Sequence, residues 1–319
     1  MIFGRKSGWP PHCRAALARS LRLAARQFPR AGEDEPTRVH DVRKTLKSAA
    51  ALSRLFLDSI GAPAAATLES INATRRKISR ARDLDILPGV IASLALPDDV
   101  RDALSAAIAK EREAERQAHH QIDVAELAEE LRGLADAVDA WRVEPLGEAP
   151  LITAVRRTYR SARRRGEAAL ANRDARALHG FRVRVVDLAY QLATFELAWP
   201  AMMRATTREL HRLRTALGDH NDLTVLGEFA AARAELSDEQ KAAAAALIAS
   251  KRRPLERRAA QLYVRLFVER PAAFERRLAA YLERPRRKPP ARRAARPARA
   301  ANPPAADPPH PASGAPHVP

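Results

Sequence analysis

Shifted by 139 residues, the chain falls on itself. His40-x-x-Arg43 lands on His179-x-x-Arg182, Phe56 on Phe195, Ile71 on Leu210, Arg75 on Arg214 and Ile78 on Leu217. Asp83-Leu84 lands on Asp222-Leu223 and Ile86-Leu87 on Val225-Leu226, so the His-to-Asp distance is 43 residues in both halves without a gap. One shared His-x-x-Arg is chance, but this many matches at one offset restrict the fold. The simplest architecture that satisfies them is two duplicated helical units packed about a pseudo-two-fold axis.

That the units are helical follows from periodicity. His40, Arg43, Lys44 and Lys47 fall at i, i+3, i+4 and i+7, one stripe of a helix, while Val42, Leu46, Ala49, Leu52 and Phe56 form an apolar stripe on the other face. Ala, Arg, Leu and Glu dominate, aromatic residues make up 5% and Gly is limited to 12 residues, a helix former's composition. Helices are expected over 12–28, 37–60, 64–82, 98–142, 151–172, 175–199, 201–217, 238–253 and 255–282, with short pieces after Asp83 and from Asp222. The first carries Leu17, Leu21, Leu23 and Phe28 as its apolar members, and Thr37 is the expected N-cap of the second. Pro88-Gly89 is expected to interrupt the piece after Asp83. Residues 1–10 read as a flexible lead-in and Pro145–Pro150 as the joint between halves of about 11–144 and 150–284. The class is all-α: two four-helix-bundle-like halves.

Like charges along one helix face repel by a few tenths of a kcal/mol per pair. A helix standing alone gains nothing from the stripe, whereas a helix gripping a long polyanion does. The whole chain points the same way: 56 Lys and Arg against 38 acids give a formal charge of +18 and a pI near 11.1. Residues 285–319, rich in Pro, Ala and Arg, hold seven basic residues and one acid and read as a disordered basic tail. About +12 therefore stays on the helical part, an excess that opposes compaction and suits a large anionic partner. The bland reading is a solvated helix surface in an Arg-rich proteome.

The halves differ in charge. Lys44 and Lys47 become Val183 and Val186 in the second half, which keeps Arg176, His179 and Arg182, with Arg184 on a neighbouring face. The next helix carries Arg204, Arg208, His211 and Arg212 on one face, with Arg214 beside them. If both helix pairs border one groove, the first half supplies the denser charge.

The stretches EDEPTRVHDVRKTLKSAAALSRLF and SRARDLDIL in the first half resemble the CHAD family, α-helical domains named for their histidines that bind inorganic polyphosphate. So do RDARALHGFRVRVVDLAYQLATF and LHRLRTALGDHNDLTVL in the second, and the resemblance spans roughly residues 11–282. It implies an all-helical fold with a basic central groove or pore and association with polyphosphate granules. The ligand residues it implies are His40, Arg43, Lys44, Lys47 and Arg54 in the first half, His179, Arg182 and Arg214 in the second, and Arg75 and Arg76 on the first half's third helix. Arg208 and Arg212 join them from the charged face of the second. Val183 and Val186 depart from the basic pattern, which leaves symmetric gripping in question.

The chemistry is consistent with a phosphate chain. Arg bonds two phosphate oxygens at once and Lys acts as a point charge. Trp9, Trp141 and Trp199 are not interleaved with the basic stripes, whereas single-strand nucleic-acid binders use aromatic platforms. His40 and His179 have two readings: ligands whose grip strengthens as pH falls through about 6.5, or structural residues bonded to a neighbour beside the groove. Asp83 and Asp222 read as N-caps or Arg-orienting groups.

Enzymatic readings find less support. There is no GxxxxGK[ST] loop, His119-His120 point about 100° apart on a helix, and Glu111-x-Glu113-x-Glu115 lies in a helical stretch without strands. The single Cys13 fits a reducing compartment and permits no internal disulfide. With no apolar run near 18 residues and no signal-peptide pattern, the expectation is a cytoplasmic protein at polyphosphate granules with no membrane partner. No metal or cofactor is expected. The favoured function is non-enzymatic polyphosphate binding. The alternatives are a polyphosphate-processing enzyme or its accessory subunit, and a binder of other polyanions, nucleic acid included.

Overall fold

The computed structural model describes residues 8–28, 35–78, 84–119, 123–172 and 174–282, apart from the side chains of 35–39 and 115–119. Among them are eleven α-helices and no strand. In chain order they are α1 (Trp9–Gln27), α2 (Glu35–Ser53), α3 (Ala62–Lys77), α4 (Leu87–Ala92), α5 (Asp98–His119), α6 (Val124–Asp139), α7 (Ala149–Asn172), α8 (Ala175–Thr194), α9 (Pro200–Ala231), α10 (Asp238–Leu266) and α11 (Pro271–Leu282). A 3₁₀ turn, Glu196–Ala198, joins α8 to α9. Residues 1–7 of the lead-in expected at 1–10, the basic tail and Asp83 lie outside the described residues.

Several boundaries differ from expectation, each for a local reason. α1 starts at Trp9 rather than at 12, because Pro10 and Pro11 sit where a first turn needs no backbone N–H and Trp9 is buried, its indole donating to the Leu282 carbonyl. Leu23 is exposed, off the packed face. α2 starts at Glu35, so Thr37 lies inside its first turn rather than at the cap. It ends at Ser53, where residues 54–60 turn toward Gly61, whose φ of 71° suits a residue without Cβ. The piece after Asp83 is helical at 84–85 and breaks at Ile86, and α4 restarts at Leu87 with Pro88-Gly89 in its first turn. The stretch 98–142 splits, with Asp123 capping α6 by accepting from the Ala125 and Glu126 N–H groups.

The largest difference is α9. Gly218, Asp219, Asn221 and Asp222 suggest a break, yet the helix runs unbroken for 32 residues. Buried Leu213, Ala216 and Leu217 precede those residues and Leu223 and Leu226 follow, with α10 packed alongside, so tertiary burial overrides weak propensity. Asp222 is therefore no N-cap. Among the described residues, Asp123, Asp174 and Ser237 do cap helices, the last in a reciprocal capping box with Gln240. Packing on α9 likewise carries α10 through Pro254, expected to end a helix.

Two apolar clusters result. The larger is built from α1, α2, α3, α6, α7, α8, the first half of α9, the end of α10 and α11. The smaller joins α4, α5, the second half of α9 (Leu223, Leu226, Phe229) and the first half of α10 (Ala244, Ile248). α7 approaches α8 and α10 so closely at Gly166 that a Cβ there would lie 2.6 Å from Tyr263 and 2.8 Å from Phe181. α2 packs directly against α8, where Gln191 Nε2 donates to the Ala51 carbonyl and Tyr190 Oη to that of Lys44. All five residues of the predicted apolar stripe are buried, Val42, Leu46, Ala49 and Leu52 on α2 and Phe56 in the turn after it.

Candidate functional site

Beside the α2–α8 contact lies a cavity of about 570 Å³. Arg43 and Lys47 come from α2, Arg54 from the turn after it, Arg75 from α3, and Arg176, His179 and Arg182 from α8. Asn221, Thr224, Val225 and Glu228 close it from the half of α9 that belongs to the smaller cluster. Thus the unbroken run of α9 past Leu217 supplies one wall. Of the fifteen described residues that line it, six are Lys or Arg, two are acidic (Asp187 and Glu228), and none is aromatic.

Helix geometry explains which groups arrive. Arg176, His179 and Arg182 follow one another at three-residue steps, Val183 lies four residues after His179, and Arg43 and Lys47 are four apart, so each set faces one way while Val42, Leu46, Phe181 and Val185 face inward. Arg43 Nη1 donates to the Ile78 carbonyl at 3.4 Å, near the end of α3. The guanidinium of Arg182 lies over Gly218, less than 4 Å from where a Cβ would be. His179 Nδ1 is 2.7 Å from Asn221 Oδ1, and its ring lines the cavity. This histidine is both tied to a neighbour and part of the cavity wall. With Nδ1–H donating to the amide oxygen, Nε2 is left to serve the cavity.

Asp187 carries the strongest electrostatics. It is buried, with Arg54 Nη1 3.5 Å from Oδ1 and Arg184 Nη1 3.0 Å from Oδ2. Burial pushes its carboxyl above the ordinary range, opposed by Arg54, Arg184 and Arg75. Burial likewise lowers the affinity of Arg54 and Arg75 for their protons, and the two guanidiniums are near enough for Arg54 to repel Arg75. As guanidiniums both remain charged at neutral pH.

Of the sequence-predicted residues, Arg43, Lys47, Arg54, Arg75, His179 and Arg182 are brought together in this cavity. His40, Lys44, Arg76, Arg208, Arg212 and Arg214 are not among its lining. Arg76 is exposed, turned about 100° from Arg75. Lys44 and Arg214 belong to a second group around Tyr190: the Arg214 guanidinium lies 6.0 Å from the Tyr190 ring, and both cations, after burial, hold His211 below its usual range. Arg212 and Arg204 are exposed and ion-paired to Glu209 and Glu196 at 2.6 and 2.8 Å. Asp187, Asn221 and Glu228 escaped sequence reasoning. Arg176 had a signal, its place three residues before His179, but Asp187 is tied to Arg54 across 133 residues and has none.

The other motifs lie elsewhere. Cys13 is fully buried and burial pushes its thiol far up. Glu111 pairs with Arg233 at 2.8 Å. The side chains of Glu115 and His119, and all of His120, fall outside the described residues. Among the described residues no group of three or more His, Cys, Asp or Glu is placed to hold a metal, and no helix is long and apolar enough to cross a membrane.

Comparison with known proteins adds a family. The model described as CHAD domain matches residues 15–231. Among solved structures the fold is similar to "Crystal structure of the CHAD domain from the plant Ricinus communis", with a TM-score of 0.58, 21% identity, and coverage of 88% of this chain and 94% of that one. Among curated proteins none matches.

Proposed function

This chain belongs to the CHAD domain family, and on that premise we propose that it binds inorganic polyphosphate, without turning it over, in the cavity between α2, α3, α8 and α9. The observation that carries the reading is the lining: six cationic side chains with no aromatic among them. A polyphosphate chain offers a charge at each phosphate and no base to stack, so spaced cations suffice. Nucleic-acid single strands draw one to three kcal/mol per base from stacking, which this lining does not offer.

The family-level picture of two related halves is supported by the helix starts. Trp9 and Ala149, Glu35 and Ala175, Ala62 and Pro200, and Asp98 and Asp238 are separated by 140, 140, 138 and 140 residues. We read the halves as related by a pseudo-two-fold axis through the α2–α8 contact, with the cavity as part of a basic central groove. Lys44, His211 and Arg214 around Tyr190 then extend the path of a long ligand beyond the cavity. Association with polyphosphate granules belongs to the same proposal.

Titration of the full chain with polyphosphate tests it. Log K should fall by roughly 0.7 to 0.9 Z per decade of salt for Z phosphates neutralised, by analogy with nucleic acids. Absence of saturable binding at low salt would overturn the reading. Release of phosphate from radiolabelled polyphosphate by pure protein would overturn its non-enzymatic part. Displacement by RNA at equal phosphate concentration would favour a general polyanion binder.

A further inference from the structure

Asp187 is the odd group in the cavity wall. A buried ionised carboxylate is costly unless it is paired and fully hydrogen-bonded. Its side chain is only 6% exposed, yet its pairing is incomplete. The 3.5 Å contact from Arg54 reaches Oδ1 at the limit of a hydrogen bond, and the 3.0 Å ion pair with Arg184 leaves Oδ2 without an aligned donor. Arg75 adds a third attracting charge. Three guanidiniums, from α3, the turn after α2 and α8 itself, converge on a group with two oxygens. A phosphate offers more acceptor oxygens and fork-to-fork geometry to each of them.

We propose that Asp187 is a built-in counter-anion, which offsets the charge of Arg54 and Arg75 and competes with an incoming phosphate for them, so limiting affinity. The inference rests on the polyphosphate reading and names the residue that sets its strength. At the matching repeat position the first half has Ser48, so the competitor exists in one half alone. A phosphate seated on Arg54 and Arg75 places a second anion against Asp187. The conflict is relieved when Asp187 takes up a proton, which couples binding to acid. The charged groups facing it are Arg54, Arg75 and, on its own helix, Arg184. Lys47 of α2, His179 of α8 and Glu228 of α9 line the same cavity, so Glu228→Gln and His179→Gln serve as controls for the pH series.

The test uses the full chain with Asp187→Asn, Arg54→Gln and the double variant, each checked for helicity by circular dichroism. One arm measures the rise in Tm with inorganic phosphate, the other the Kd for polyphosphate at fixed salt. Asp187→Asn should bind polyphosphate about tenfold more tightly at pH 7.5, the effect of removing one apposed like charge. It should also gain more Tm from phosphate than wild type does. Wild-type affinity should climb toward pH 5.5, more steeply than that of Asp187→Asn, and Arg54→Gln should cancel the gain. Equal or weaker binding by Asp187→Asn in both arms overturns the proposal. If wild type binds no polyphosphate, the functional reading falls and the inorganic phosphate arm still decides on Asp187. Should Asp187→Asn fail to fold, Asp187→Ser, carrying the residue type of position 48, is read the same way.

Discussion

α2 and α8 hold matching places in the sequence repeat and pack against each other, yet they manage charge in opposite ways. α2 presents Arg43, Lys44 and Lys47 with no acid between them on that face. α8 replaces the lysines with Val183 and Val186 and follows them with a buried carboxylate that draws in arginines from both halves. What the pair preserves is the frame: His-x-x-Arg pointing outward and a buried apolar face behind it. Once one helix of such a pair holds enough cation, its twin is free to spend positions on packing and on restraining the arginines already present.

If α2 is the stronger half of the device, removing its cations must cost more. Hydrogen bonds to charged groups contribute about 1.5 to 3 kcal/mol each. Arg43→Ala with Lys47→Ala should therefore weaken polyphosphate binding about a hundredfold with helicity intact. Arg176→Ala with Arg182→Ala should cost about tenfold, since Arg176 is exposed and Arg182 already feels the carboxylate of Asp219. Equal losses in a titration would break the comparison. The reverse experiment restores what α8 lacks. Val183→Lys with Val186→Lys should tighten binding several-fold and steepen the salt slope by about 1.4 to 1.8, two added phosphate contacts. The aliphatic stems can cover the apolar surface now under Val186. An unchanged slope would mean that this face of α8 does not meet the ligand.

Acid should separate the halves in another way. The second half's unbroken α9 carries His220, which is buried, accepts from Arg252 Nε at 3.0 Å and lies 3.2 Å from Glu256. Burial first, then Arg252, hold its pKa below the ordinary value, and Glu256 offsets them only in part. A histidine depressed in the folded state binds protons more readily when unfolded. Its contribution is thus fully present above the unfolded value near 6.5 and is lost as pH falls through the folded one. The ring joins α9 to α10 between the two apolar clusters, at the level of Pro254. Hydrogen exchange at pH 5 against pH 7 should show α9 and α10 losing protection before α1–α3, and His220→Gln should flatten the difference. Uniform loss would exclude this role.

Much of the fold was legible because apolar periodicity is a local signal: the buried stripe of α2 follows from spacing alone. Part of the candidate site was legible for the same reason, since Arg43, Lys47, His179 and Arg182 lie on helix faces read from spacing. Arg54 and Arg75 were reached through family resemblance. What the sequence hid is non-local. Asp187 means nothing until Arg54 arrives from 133 residues away, and Glu228 lines the cavity only because α9 fails to break. That failure is itself a contest between weak helix formers at 218–222 and the leucines on either side, and propensity alone picks the wrong winner.

The smallest effects test that last point at matched carboxylates. An N-cap Asp changed to Ala costs about 1 kcal/mol, within roughly 0.5 to 2. Asp123 accepts from two backbone N–H groups at 2.9 and 3.0 Å, so Asp123→Ala should lower stability by about that amount in a denaturant titration. Asp222 lies inside α9, near Asp219, whose carboxyl is raised by burial and then by Asp222 itself. Removing Asp222 deletes no cap and relieves that repulsion while placing the best helix former at an interior position. Asp222→Ala should therefore shift stability by less than about 0.5 kcal/mol, or raise it slightly. A loss as large as that of Asp123→Ala would mean that α9 starts a new helix at that point. The second half would then be segmented as the first is, and the wall formed by Asn221, Thr224 and Glu228 would be a separate element able to move.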